Sequence, residues 1–124
     1  MEFLDLQLDD MEVIEQRRPE FDFPAVSFSK YSNSFTAFLN KHAVKALNNC
    51  KYVKIYANAW YVVILPVQKR DYHCFQVHYA SSKSASISCM GLERCQLEGK
   101  VYKLYNTEKG FALKINNPIK VRKE

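Results

Sequence analysis

Glycine and proline are scarce in this chain, 3 and 4 residues among 124, which excludes collagen-like repeats and flexible linkers. The glycines, Gly91, Gly99 and Gly110, are too scattered to build the loop that cradles nucleotide phosphates. Long apolar runs are also missing. The longest, Trp60 to Leu65, is strand-sized, far below the ~18–20 residues of a membrane helix. The N-terminus is acidic and lacks a basic start ahead of an apolar core, so no signal peptide is expected. Cys50, Cys74, Cys89 and Cys95 are then expected as reduced thiols in a cytoplasm, that of a host cell if the gene is carried by a phage. Carboxylates are sparse after residue 24. Asp71, Glu93, Glu98, Glu108 and Glu124 do not promise the pair that divides acid and base work. His42, His73 and His78 coexist with the cysteines, but no local signature marks a Cys–His nucleophile. These absences argue against an enzyme.

What is present is enough apolar material for one folded domain, 48% of residues with 14% aromatic. The net charge of +5 is composite. Residues 1–24 carry 8 acids and 2 bases, while residues 25–124 carry 5 acids and 16 bases. A basic body makes anionic partners the first class to consider, nucleic acid above all; a solvated lysine-rich surface is the plainer alternative.

Along the chain, Leu4, Leu6 and Leu8 alternate with polar residues and read as a strand within an extended segment 1–16, with a helix from Asp9 to Glu15 as the alternative. Arg17-Arg18-Pro19 through Pro24 is a proline-punctuated connector. Ala25 to Lys30 is expected as a strand, Tyr31 to Ser34 as a turn, and Asn40 as the cap of a helix reaching about Leu47, with Ala43, Val44 and Leu47 on its buried stripe. Lys51–Ala57 and Trp60–Leu65 predict a hairpin around Asn58-Ala59. Tyr72 to Tyr79 alternates as a strand, and the serines from Ser81 to Ser88 read as a loop entering a second helix, about Ser88 to Gln96. Val101–Tyr105 and Phe111–Ile115 form a second hairpin, followed by a frayed basic tail.

A shift of 49 residues superposes Lys51-Tyr-Val-Lys-Ile-Tyr56 on Lys100-Val-Tyr-Lys-Leu-Tyr105, and 25–30 on 74–79. The chain therefore reads as a duplicated module whose copies pack about a pseudo-two-fold axis. With Val53 and Ile55 facing inward, Lys54 and Tyr56 face outward, and Lys103 and Tyr105 take the matching positions. Lysine beside tyrosine on a strand face can neutralise phosphates and stack on bases or on a protein partner; lysine stems covering the rings is the alternative.

Two clusters remain. His73, Cys74, His78, Cys89 and Cys95 hold zinc-ligand chemistry, but no close cysteine pair is present, so cysteines acting as small apolar residues are preferred and no cofactor is expected. The acidic segment, with Asp9, Asp10 and Glu12 at its centre, could neutralise the protein's own lysines, remain solvated, or imitate phosphates in another protein's nucleic-acid channel.

Val26-Ser-Phe, then Phe38-Leu-Asn-Lys-His-Ala-Val-Lys-Ala-Leu47, then Lys51-Tyr-Val-Lys-Ile resembles a pattern in small proteins of low-GC Gram-positive phages and mobile elements, over about residues 20–115. Such proteins include anti-CRISPR inhibitors. The strand–helix–hairpin order is also similar to AbrB-type regulators, whose swapped hairpins form a DNA-binding dimer. The resulting expectation is a single α+β domain of two tandem β-α-β-β modules around a mainly antiparallel sheet with two short helices. Its parts are an acidic arm (1–24), modules at 25–70 and 71–116, and a basic tail (117–124). The expected function is inhibition of a nucleic-acid-handling host defence protein, such as a Cas effector–guide complex. The alternative is AbrB-like DNA binding. Either would use Lys51, Lys54, Tyr56, Lys100, Lys103, Tyr105 and, for a protein partner, Asp9, Asp10 and Glu12.

Overall fold

In the computed structural model, which describes residues 2–13 and 21–120, alternating apolar and polar residues build strands almost throughout. These are β1 (Ala25–Tyr31), β2 (Ser34–Leu39), β3 (Tyr52–Ala57), β4 (Tyr61–Val67), β5 (Phe75–Ser81), β6 (Ser84–Ser88), β7 (Val101–Lys103), β8 (Tyr105–Thr107) and β9 (Gly110–Lys114). One α-helix, α1 (Lys41–Leu47), lies between β2 and β3. Every neighbouring pair is antiparallel, in the order β7-β1-β2-β6-β5-β3-β4-β9-β8. β7 and β8 are one stretch interrupted at Leu104. Its first part pairs with β1 and its second with β9, so it joins the two ends of the order and nearly closes the sheet into a barrel. Closure removes the exposed strand edges that invite aggregation.

Eight strand positions around a barrel leave an interior that side chains just fill. Val26, Phe35, Val53, Val62, Ile87 and Tyr102 all face inward and are inaccessible or nearly so. Each such aliphatic or aromatic burial contributes about 1.5–3 kcal/mol. The edge of Tyr102 meets Phe28, with centroids 6.0 Å apart and planes at 71°. Helix α1 starts where Asn40 Oδ1 accepts the Ala43 N–H at 3.0 Å. The same oxygen accepts the Ala25 N–H at 3.0 Å, and Asn40 Nδ2 donates to Phe23 O at 2.9 Å. One side chain thus caps the helix and fixes the entry of β1. Asn48, with φ 51°, ends the helix.

The α+β expectation is corrected here. Tyr31–Ser34 is a tight turn between β1 and β2, so the first unit is hairpin–helix–hairpin. The serine run is β6 rather than a loop, because Ala85 and Ile87 alternate inward. The expected second helix is only a 3₁₀ turn, Leu92–Cys95, entered through Gly91 at φ 106°. The expected β-α-β-β order is replaced by β-β-α-β-β in the first half and β-β-turn-β-β in the second. Residues 2–13 form no strand; a 3₁₀ turn spans Leu8–Asp10, and Trp60 belongs to the turn ahead of β4. The tail is held at first, since Ile119 N–H donates to Val101 O at 2.7 Å. The connector from Arg17 to Pro19 and the end of the tail lie outside the described residues.

The register carries the 49-residue repeat into three dimensions. Val26 pairs with Tyr102, and 49 residues on from Val26, Phe75 pairs with Val53. Phe28 N–H donates to Lys100 O, and its counterpart Val77 N–H donates to Lys51 O. A bulge between Tyr79 and Ser81 adds one residue, after which Ala37 pairs with its own counterpart, Ile87. At the opposite wall Val63 pairs with its counterpart Ala112. A pseudo-two-fold axis therefore passes between Ala37 and Ile87 and leaves between Val63 and Ala112. The small residue faces the large one at the first crossing, which keeps interior volume constant across the axis.

Candidate functional site: a tyrosine–lysine face

The outer wall where the axis emerges is formed by β3, β4, β9 and β8. Register places Tyr56, Val63, Ala112 and Tyr105 in one row across these strands. Three inter-strand steps separate the tyrosines by about 14 Å along the sheet. Ala112 faces outward yet is only 8% exposed, between Val63 and Tyr105, while Tyr56 is 54% exposed.

The Tyr105 end carries the denser constellation. Lys103 Nζ lies 4.9 Å from the Phe23 ring centroid and 5.4 Å from that of Tyr105. Lys114 Nζ lies 4.8 Å from the same Tyr105 ring. Phe23, Lys103, Tyr105 and Lys114 therefore alternate ring, cation, ring, cation. Tyr61 pairs with Lys114 in register and extends the row. Trp60, 63% exposed, sits beside it, its carbonyl accepting Ile115 N–H at 2.9 Å. The turn that presents both is built by Asn58, whose Oδ1 accepts the N–H groups of Trp60 and Tyr61 at 2.8 and 2.7 Å. Exposed cation–π contacts hold the ammonium groups by only about 0.5–1 kcal/mol each, little enough for a phosphate to recruit them.

The Tyr56 end has different electrostatics. Lys54 Nζ is ion-paired with Asp71 Oδ2, the sole salt bridge among the described residues. Asp71 is preset for this: its Oδ1 accepts His73 N–H at 2.9 Å and lies 3.3 Å from Cys74 Sγ. The hydrogen bond from Lys54, with those from His73 and Cys74, holds the Asp71 carboxyl down to about 2; the Asp71 contact raises Lys54.

Of the residues singled out from sequence, Lys103 and Tyr105 come together, Tyr56 shares their row, and Lys54 is neutralised. Lys51 and Lys100 are exposed just ahead of β3 and β7, where their carbonyls hold β5 and β1. Asp9, Asp10 and Glu12 sit in the exposed segment 2–13, away from this wall's hydrogen bonds and ion pair. Lys114, Tyr61, Trp60 and Phe23 were missed. Alternation along β9 and β4 carries the signal for Lys114 and Tyr61, but nothing local reveals that Phe23 folds over Lys103.

The zinc set does not assemble. His78 is exposed on the outside of β5, Cys89 is buried inside the barrel, and no three potential ligands gather among the described residues. Burial pushes the Cys89 thiol up to about 11. No helix among the described residues is long and apolar enough to cross a membrane. Comparison with known protein families, curated proteins and solved structures finds no match to this chain.

Proposed function

We propose that the protein works by binding, and that its tyrosine–lysine face takes single-stranded nucleic acid. The observation that carries this reading is the alternating Phe23–Lys103–Tyr105–Lys114 stack beside Tyr61 and Trp60. Tyr61 and Trp60 are exposed and Phe23 and Tyr105 half-buried; rings at a sheet surface can stack only on bases that have left a duplex, while the lysines beside them neutralise the phosphates between. Fluorescence anisotropy with a labelled dT oligonucleotide of about 12 residues, within the ~4–16-nucleotide range of comparable sites, tests it. Tyr105→Ala is expected to weaken binding by about 1–3 kcal/mol, and Lys103→Gln or Lys114→Gln to flatten the log–log salt slope by about 0.7 each. Absence of binding at low salt, or equal affinity in all three variants, refutes the reading.

The exposed acidic arm favours a second reading. Phe3 (96% exposed), Leu4, Leu6 and Leu8 stand unburied among Glu2, Asp5, Asp9, Asp10 and Glu12. Apolar side chains interleaved with carboxylates suit a partner groove that is greasy and rimmed with basic residues, as nucleic-acid channels are. In that reading the protein is a phage or mobile-element inhibitor of a host defence protein, anti-CRISPR-like, and a Cas effector–guide complex is the target to assay. Blocked DNA cleavage that is lost on deleting residues 2–13 supports it; unimpeded cleavage by the effectors assayed argues against it.

A further inference from the structure

The two halves of the face are related by the pseudo-two-fold axis in backbone and in the Lys54–Tyr56 and Lys103–Tyr105 pairs, but not in charge. Lys103 has ring faces as its partners and, among the described residues, no carboxylate in an ion pair with it. Lys54 meets a carboxylate. Lys114 stands over Tyr105, whereas its counterpart 49 residues earlier, beside Tyr56, is Leu65. Asp71 leads into β5 as Asp22, 49 residues earlier, leads into β1, yet among the described residues only Asp71 makes an ion pair, so the base is cancelled in one half alone.

Asp71 is held for this task by its own loop. Its Oδ1 is engaged by the His73 N–H, with Cys74 Sγ alongside, and its other oxygen is turned to Lys54. A carboxylate oxygen on a lysine, itself steadied by a backbone N–H, is the arrangement a bound phosphate oxygen would make. The carboxyl stays ionised throughout the physiological range, so its charge is available to Lys54 there.

We propose that Asp71 is a built-in phosphate substitute that occupies Lys54, closing the Tyr56 half of the face so that single-stranded nucleic acid enters through the Tyr105 half alone. This rests on the nucleic-acid reading above. It makes an asymmetric site from a symmetric scaffold, with Lys103 and Lys114 as the phosphate contacts and Tyr56 as an idle platform.

The test is a salt titration of the full chain with the same labelled dT oligonucleotide. Asp71→Asn keeps the oxygen that His73 uses and removes the charge. It is expected to add one phosphate contact, steepening the slope by about 0.7 and tightening binding about fivefold near 0.1 M salt, with little change near 1 M. Lys54→Gln alone is expected to leave affinity unchanged, and in the Asp71→Asn background to abolish the gain. Glu98→Gln, the same charge change on an exposed turn, is expected to have no such effect. Equal binding by wild type and Asp71→Asn, or a fivefold loss in Lys54→Gln, overturns the proposal while leaving nucleic-acid binding intact. Failure of wild type and Asp71→Asn alike to bind at low salt overturns the underlying reading as well.

Discussion

Tyr102 offers a stringent test of the barrel interior. Its ring is inaccessible to solvent, and its hydroxyl is the single fully buried side-chain polar atom without a hydrogen-bond partner among the described residues. A buried hydroxyl left unpaired costs about 1–3 kcal/mol of desolvation. Tyr102→Phe removes that cost and keeps the edge-to-face contact with Phe28. Lost dispersion around one oxygen offsets part of the gain, leaving a net stabilisation of about 0.5–2 kcal/mol. For a domain of this size each kcal/mol moves Tm by about 3–5 °C. Tyr102→Ala empties the centre and is expected to cost about 3–5 kcal/mol. Urea denaturation followed by far-UV circular dichroism measures both. A loss of more than about 1 kcal/mol in Tyr102→Phe, at unchanged m-value, would refute the reasoning and reveal a partner for the hydroxyl.

Asn40→Ala removes a helix cap and the tie to β1 together and is expected to cost about 2–4 kcal/mol in the same assay; Asn40→Asp keeps both oxygen contacts and should cost about half as much. Gly110 has φ 139°, and a Cβ there would collide with the Ile64 carbonyl, so Gly110→Ala should lose about 2–4 kcal/mol or fail to accumulate as folded protein. Cys89 should react with a thiol reagent at pH 8 far more slowly than Cys74, and only as the fold opens. Its raised pKa favours the folded state below the ordinary thiol value of 9.0. That contribution falls by about 1.4 kcal/mol per unit as pH climbs from 9 toward 11, a decline that Cys89→Ala should reduce.

The β3–β4 hairpin was legible because it carries its own alternation and turn; the second was legible only at its turn, since of the expected strand Val101–Tyr105 the part Val101–Lys103 pairs with β1 and β9 takes Tyr105–Thr107 instead. Asn40 was legible as a cap, which needs only the residue and the helical stripe after it. The β1–β2 and β5–β6 hairpins were not. Phe35, Ala37, Ala85 and Ile87 alternate with serines and threonine, residues equally at home in loops, and only the barrel gives them an apolar interior to face. The second helix failed because Met90, Leu92, Cys95 and Leu97 mimic a helical stripe, while Gly91 at positive φ lets the chain make only one 3₁₀ turn. The repeat offset was readable, but the bulge at Tyr79–Ser81 hid it in the hairpin tips. At the face, outward direction followed from alternation. The pairing of Lys54 with Asp71 and of Lys103 with Phe23 did not, because both partners arrive from loops whose course the barrel sets.

Trp60 is the chain's single tryptophan, is exposed, and immediately precedes Tyr61 of the tyrosine–lysine face, so its fluorescence is a nearby reporter of binding there. Titration with a dT oligonucleotide at low salt is predicted to quench Trp60 emission saturably, with recovery on adding salt and no quenching in a Lys103→Gln, Tyr105→Ala double variant. Emission that stays constant, or quenching that survives in that variant, would contradict the claim that this face binds single-stranded nucleic acid.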